Sequence, residues 1–444
     1  MKVTLGGAGT PPLRGTIRPP GDKSISHRAL LLAARAEGTS LLRGLSTGDD
    51  VARTVAAARL IGALIETRGA GGTEVRVSGG LGRLVEPGDV IDLGNSGTSM
   101  RLLTGYLAAF PWISVLTGDE SLRGRPMGRV ASPLREMGAR IDGRAGGELA
   151  PLAVRGGDLR GIEYQLPVPS AQVKGAILLA GLGATGVTRV VERVPTRMHT
   201  EELLSLAGAS ISVHSESVPD SVPFRNSADS ITIEVRPSDL HAFDLDIPAD
   251  PSQAAFLVVA ACVVPGSEVV CEGVYLGAAR AGFLDVLERM GANIERRCRD
   301  ATTGDIVAAY GPLKGVDVGG AEVPALIDEV PALVVAAMLA EGTSTFSDVG
   351  ELRVKESDRI ATMQGVVSLL GGRVESTRDS LTIVGSGGRL PGGATVDSSG
   401  DHRVAMAAAT AALACDDPVE IDGFECVGTS YPEFLHDLEA LGAL

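Results

Sequence analysis

A six-fold internal repeat constrains this chain more than any other feature, because similar supersecondary units in series fold as stacked arrays. The repeated phrase sets an apolar residue before a glycine, followed by a small residue and, shortly after, an aliphatic one. It occurs as Leu60-Ile61-Gly62-Ala63-Leu64-Ile65, Met137-Gly138-Ala139-Arg140-Ile141, Ala207-Gly208-Ala209-Ser210-Ile211, Met290-Gly291-Ala292-Asn293-Ile294, Leu370-Gly371-Gly372-Arg373-Val374 and Leu441-Gly442-Ala443-Leu444. Successive glycines lie 70 to 83 residues apart, so six units account for the 444-residue length. Each phrase reads as a helix that stops at a glycine cap and turns at once into a strand.

A second phrase, a turn followed by a β-branched run, precedes it at 36–42, 184–190, 265–270, 340–346 and 416–421. The unit therefore reads βαβαβ, usually with a further strand such as 73–77 or 230–235. The sixth unit stops at Leu444 without its last strands, and the runs 3–5 and 15–18 are expected to supply at least one of them. That places repeats one to three in a middle domain, 20–238, and repeats four to six in a discontinuous domain, 1–19 plus 239–444. The crossings fall in turn-rich segments, as interdomain passages should.

Composition narrows the function. Aromatics are 3% of the residues, too few for platforms that stack single-stranded bases. A net charge of −15 opposes nucleic acid and acidic membrane, yet leaves room for a small anion in a locally basic pocket. Five cysteines, odd in number and without a C-x-x-C pair, read as reduced thiols. The longest apolar runs, 254–264 and 404–414, are 11 residues each, short of the ~20 that span a bilayer. The first twenty residues lack the apolar core of a signal peptide, so a soluble cytoplasmic protein is expected. No histidine has metal-ligand spacing, and no metal is expected.

The chemistry is written where the first helix of each unit begins. These starts are Gly21-Asp22-Lys23-Ser24-Ile25-Ser26-His27-Arg28, Leu93-Gly94-Asn95-Ser96-Gly97-Thr98-Ser99-Met100-Arg101, Pro169-Ser170-Ala171-Gln172-Val173-Lys174, Asp250-Pro251-Ser252-Gln253, Ile327-Asp328-Glu329-Val330-Pro331 and Ser399-Gly400-Asp401-His402-Arg403. Any one alone reads as ordinary N-capping. Lys23, Arg28, Lys174 and Arg403, however, put cations at the positive end of a helix dipole, which favours anions. A bound phosphate or carboxylate would resolve that conflict. Two further basic segments are 118–127 and 351–359; in a helical second segment Lys355 and Arg359, at i and i+4, would share a face.

At these residues the chain resembles the EPSP synthase family, the 3-phosphoshikimate 1-carboxyvinyltransferases. The matching phrases are 20–28, 93–101, 117–127, 170–174, 327–329, 351–359, 401–403 and 429–434, in the family's order. The resemblance implies an α/β fold of the two-domain enolpyruvyl-transferase type, an inside-out α/β barrel. Six βαβαββ-like repeats, three per domain, would leave the active site in the cleft between domains. It implies transfer of the enolpyruvyl group of phosphoenolpyruvate to the 5-hydroxyl of shikimate 3-phosphate in the shikimate pathway of aromatic amino acid biosynthesis. No metal or organic cofactor is implied, and the expected partners are those two small molecules, bound by a monomer.

By the same resemblance, Lys23, Ser24, Arg28, Ser170, Gln172, Arg197, Asp328 and Lys355 would bind shikimate 3-phosphate. Lys23, Gly97, Arg125, Gln172, Arg359 and Arg403 would bind phosphoenolpyruvate. Asp328 would take the proton of the 5-hydroxyl, Glu356 would serve the methylene carbon and Lys23 would stabilise the bridging oxygen. Those roles require Asp328 ionised and Glu356 protonated at the start, a split that unlike surroundings can produce. The chain departs from the family pattern at Ser430, where many members have Lys, and at Ala171, where many have a second Ser. Two rivals remain. One is a UDP-N-acetylglucosamine enolpyruvyl transferase, which commonly uses a loop Cys that 122–130 lacks. The other is a non-catalytic α/β clamp, which the net charge disfavours.

Overall fold

The computed structural model describes residues 1–68, 72–216, 230–277 and 279–443. The six repeat glycines explain the periodicity. Each has a positive φ, from 83° at Gly208 and Gly442 to 113° at Gly138, in the left-handed region that costs other residues about 1–2 kcal/mol. Each also closes the same pair of bonds. The Gly62 N–H donates to Arg59 O and the Ala63 N–H to Ala58 O, and the pattern recurs at Gly138, Gly208, Gly291, Gly371 and Gly442. This is the Schellman arrangement, which satisfies helix-end carbonyls and reverses the chain into a strand. The helices so ended are Asp49–Leu60, Gly128–Glu136, His199–Leu206, Gly282–Arg289, Arg359–Leu369 and Phe434–Ala440.

The chain divides into two compact units, Lys23–Ile247 and Met1–Asp22 with Pro248–Leu444. The turn-rich segment near 238 suggests an earlier second crossing, but the strand Asp244–Asp246 pairs with Gly38–Arg43 and so stays with the middle unit. Five of the sheets have four strands in one order: a parallel strand, a central strand, an antiparallel strand and an antiparallel edge. The second repeat shows it, with Ile91–Asp92, Ile113–Thr117, Leu149–Arg155 and Arg140–Arg144. In the first repeat the parallel strand is Asp244–Asp246, donated from the far end of the same unit.

The N-terminal segment serves two repeats of the other unit. Arg14–Ile17 pairs in parallel with Glu268–Tyr275 in the fourth repeat. Val3–Leu5 pairs antiparallel with Val419–Asp422 in the sixth, with Val3 opposite Ile421. The sixth repeat is split: Thr395–Asp397 joins Val419–Asp422 in parallel, while Leu390–Gly392 and Cys415–Asp417 form a separate parallel pair. Both runs foreseen as donors are thus used, in different sheets.

The first helices of the repeats form the centre of each unit. Lys23–Arg35, Gly97–Ala108 and Ala171–Gly181 belong to the middle unit; Pro251–Val263, Val330–Leu339 and His402–Ala412 belong to the other. The last three are buried along their whole length, as Pro251–Val263 and Val330–Leu339, apolar all round, must be. Helices Gly97–Ala108 and Ala171–Gly181 touch at Gly105, where an added Cβ would lie 2.1 Å from the Ala176 carbonyl oxygen. The second helices are amphipathic: Gly282–Arg289 buries Phe283, Leu284, Val286 and Leu287 and leaves Asp285 and Glu288 outside.

Candidate active site

In the discontinuous unit three helix starts meet at one end. Asp250 caps Pro251–Val263 by accepting from the Ser252 N–H at 2.8 Å, and Asp401 caps His402–Ala412 by accepting from the Arg403 N–H at 2.9 Å. Helix Val330–Leu339 begins after Asp328 and Glu329 with no side-chain cap. Arg403 reaches across to it, donating from NH1 to the Asp328 carbonyl oxygen at 2.8 Å. Around Asp328 the charges alternate. Lys355 Nζ lies 3.1 Å and Arg359 NH1 3.6 Å from Asp328 Oδ1. Arg359 also donates to Glu356 Oε2 at 2.6 Å and to both oxygens of Asp401, at 2.8 and 3.1 Å.

Arg359 is therefore the base of this group. Its side chain is 1% exposed, whereas Lys355, Asp328 and Glu356 above it are 27, 18 and 16% exposed and open to a ligand. Burial pulls the Arg359 pKa down, but Asp401 and Glu356 outweigh it and the net shift is upward, so the guanidinium stays charged. Asp401 answers it: burial pushes its carboxyl up, Arg359 pulls it down, and the net shift is downward. Lys355 and Arg359 meet at Asp328 by a different route from the helical face expected for 351–359. Asp358 accepts from the Ala361 N–H and starts a helix only at Arg359, leaving Lys355 in extended backbone after the turn Gly350–Val354. The capping carboxylate sits between the two cations in sequence and prevents a continuous helix.

The middle unit gathers its own three starts. Lys23 Nζ pairs with Asp50 Oδ2 at 2.8 Å. Arg28 donates to Thr200 Oγ1 at 2.7 Å, to the Ser24 carbonyl at 3.0 Å and to the Ala171 carbonyl at 3.2 Å, which places it between Ser24 and the Ser170–Gln172 turn. Ser170 caps Ala171–Gly181 by accepting from the Val173 N–H. Gln172 bridges to the next start: its Nε2 donates to Thr98 Oγ1 at 2.9 Å and its Oε1 accepts from Arg101 NH1 at 2.6 Å. At Gly97 an added Cβ would lie 3.0 Å from Arg125 NH1 and 3.1 Å from Arg101 NH1. Gly97 thus opens onto two guanidinium groups. Beneath Lys23 and Arg28, His27 Nδ1 lies 2.7 Å from Thr54 Oγ1, and burial, then the two cations, hold its pKa well below the usual value. The cationic patch is accordingly made without that imidazole.

Lys23, Ser24, Arg28, Gly97, Arg125, Ser170 and Gln172 thus fall along one run of contacts in the middle unit, and Asp328, Lys355, Glu356, Arg359 and Arg403 fall together in the other. Arg197 sits half-buried in the segment just before helix His199–Leu206. Lys174 needs correction as an anion-binding cation. It is fully buried, 2.9 Å from Glu192 and 2.7 Å from Glu201, so two carboxylates already neutralise it. Ser430 is buried with an Oγ that makes no hydrogen bond among the described residues. Sequence reasoning gave no role to Asp50, to Arg101 or to Arg280. Arg101 was legible, because it stands four residues after Gly97 on one helix face. The other two lie far in sequence from what they touch. Among the described residues no group of three or more His, Cys, Asp or Glu could hold a metal.

Two α/β units, each built on three central helices that open at one end onto cations and carboxylates, define an enolpyruvyl-transferase fold. The enolpyruvyl transferase NikO from Streptomyces tendae shares it, with a TM-score of 0.75 at 17% identity over 99% of this chain and 97% of that one. An EPSP synthase from Acinetobacter baumannii superposes with a TM-score of 0.83 at 38% identity, covering 100% of this chain and 98% of that chain. A profile of EPSP synthase (3-phosphoshikimate 1-carboxyvinyltransferase) matches residues 8–438. The 3-phosphoshikimate 1-carboxyvinyltransferases of Pelotomaculum thermopropionicum and Gloeobacter violaceus are 48% and 49% identical, covering 95% and 96% of this chain and the same shares of their own. The chain belongs to the EPSP synthase family.

Proposed function

We propose that the chain transfers the enolpyruvyl group of phosphoenolpyruvate to the 5-hydroxyl of shikimate 3-phosphate, releasing phosphate, by addition and elimination. The observation that carries this reading is the pair of carboxylates on one buried guanidinium, Asp328 and Glu356 on Arg359, beside Lys355 and Arg403. Asp328 takes the proton of the 5-hydroxyl, whose oxygen attacks the central carbon of phosphoenolpyruvate while Glu356 delivers a proton to the methylene carbon. The resulting tetrahedral ketal breaks its C–O bond to phosphate, which leaves with the proton that Asp328 took, while the new methyl group returns a proton to Glu356. One C–O bond forms, one C–O bond breaks and both carboxyl groups return to their starting states, so the reaction balances without a redox group.

Phosphoenolpyruvate is held by Lys23, Gly97, Arg125, Gln172, Arg359 and Arg403, and shikimate 3-phosphate by Lys23, Ser24, Arg28, Ser170, Gln172, Arg197, Asp328 and Lys355. An anion drawing on Arg359 competes with Glu356 for the same donor, which favours a proton on Glu356 when phosphoenolpyruvate is bound. Lys23 stabilises the oxygen that bridges the two reactants. Every group named lies on one chain, consistent with a monomer. No helix among the described residues is long and apolar enough to cross a membrane, and a cytoplasmic enzyme fits this reading.

Phosphate release with phosphoenolpyruvate is measured beside two acceptors, shikimate 3-phosphate and UDP-N-acetylglucosamine. Release with the first alone is expected; release with only the nucleotide sugar overturns the acceptor. Asp328→Asn and Glu356→Gln should each lower kcat by about a hundredfold or more, the usual worth of a positioned acid or base. Near-wild-type turnover in either folded variant removes that residue from the chemistry.

A further inference from the structure

Arg280 is fully buried in the turn before helix Gly282–Arg289, and it is bound on every side by acceptors. Its Nε and NH2 donate to Asp22 Oδ2 at 3.3 and 3.1 Å, and NH2 donates to Asp250 Oδ1 at 2.6 Å. Its NH1 donates to Ser252 Oγ at 2.6 Å and to Glu329 Oε1 at 3.0 Å. Three buried carboxylates thus share one guanidinium. Burial lowers the Arg280 pKa, yet Asp250, Asp22 and Glu329 more than reverse it, so the charge persists.

Glu329 connects this cluster to the candidate active site. It follows Asp328 directly, its Oε1 also accepts from Ser252 Oγ, and its Oε2 makes no hydrogen bond among the described residues. A second cation stands close: Arg403 NH1 is 4.0 Å from Glu329 Oε1 while donating to the Asp328 carbonyl at 2.8 Å. A buried carboxylate without an adequate partner takes the nearest cation, because desolvation leaves it no cheaper alternative.

We propose that Arg280 is a positioning residue for phosphoenolpyruvate capture: by holding the Glu329 carboxylate it keeps the Arg403 guanidinium from collapsing onto Glu329 and leaves it for the ligand's anionic group. The inference rests on the reading above, in which Arg403 binds phosphoenolpyruvate. Nothing in the reaction touches Arg280 itself; its effect passes through Glu329 and Arg403.

The test is a charge cycle of Arg280→Lys, Glu329→Gln and the double variant, with folding checked by circular dichroism. Lysine keeps a charge but cannot span three carboxylates, so Arg280→Lys should raise the phosphoenolpyruvate KM about tenfold, with kcat and the shikimate 3-phosphate KM changed by less than about threefold. Removing the competing charge should rescue it, bringing the double variant to within about twofold of Glu329→Gln alone. An unchanged KM in folded Arg280→Lys, or a double variant as impaired as Arg280→Lys, overturns the proposal and leaves Arg280 a purely structural group. If Arg280→Lys does not fold, Glu329→Gln decides alone. Its KM for phosphoenolpyruvate should stay within about twofold of wild type or fall, and a tenfold rise sinks the idea. The same ranking is read without turnover from the phosphoenolpyruvate concentration that gives half the maximal thermal shift. A wild type that binds phosphoenolpyruvate but releases no phosphate would therefore overturn the proposed reaction while still judging Arg280.

Discussion

At Gly97 the absence of a side chain is a chemical feature. A methyl group there would press on the far ends of Arg101 and Arg125, at 3.1 and 3.0 Å, and both guanidiniums would have to give way. Gly97→Ala should raise the phosphoenolpyruvate KM by about tenfold, the scale on which one misplaced methyl group discriminates ligands. Initial-rate kinetics with phosphoenolpyruvate varied at saturating shikimate 3-phosphate measure this, and an unchanged KM would remove Gly97 from that pocket. Single residues of this kind were readable in sequence because they sit inside recognisable helix starts. Lys174 sits in one too, and there the reading failed. Nothing in Ser170-Ala171-Gln172-Val173-Lys174 announces Glu192 and Glu201, whose carboxylates consume its charge. Arg280 failed in the opposite sense: its neighbours in sequence carry no motif, and its partners lie at 22, 250 and 329.

At the scale of the element, the repeat is a statement about how helices end. The left-handed glycine, the two Schellman bonds and the strand that follows are all settled within about six residues. The six positions should nevertheless respond differently to a side chain. At Gly291 an added Cβ meets nothing closer than the Pro312 carbonyl oxygen at 3.8 Å, whereas at Gly371 it meets the Pro391 ring at 2.8 Å. Gly291→Ala should therefore cost only the backbone term, about 1–2 kcal/mol. Gly371→Ala adds overpacking worth about 1–3 kcal/mol more. Urea unfolding of the two variants gives the comparison, and equal losses would show that the Pro391 contact relaxes freely. The segment 351–359 marks the limit of element-level reading. The i, i+4 spacing of Lys355 and Arg359 favours a helix, but Asp358 starts one in between, and the two cations converge on Asp328 through tertiary packing.

For the whole molecule, strand donation decides what can fold alone. The middle unit closes its first sheet with its own strand Asp244–Asp246, so a fragment 23–247 should fold independently. A fragment 248–444 lacks Arg14–Ile17 from its fourth-repeat sheet and Val3–Leu5 from its sixth, together with the buried Leu5 and Leu13. It should stay largely unfolded by circular dichroism until a peptide of residues 1–22 is added. Cooperative unfolding of 248–444 without that peptide would show that the donated strands are dispensable.

The sequence by itself determined the number of repeats, the helix ends and the helix starts, since each is written in contiguous residues and governed by local backbone geometry. It also foresaw that at least one N-terminal run would join the sixth repeat, as Val3–Leu5 does. Only the tertiary structure decided that Arg14–Ile17 joins the fourth repeat and Asp244–Asp246 the first, that Lys174 is neutralised, and that Arg280 stands behind Glu329. The reason is physical. A cap satisfies its bonds within one turn, whereas a buried charge or an open sheet edge must find a partner anywhere in the chain, and the packing of the central helices selects which one is near.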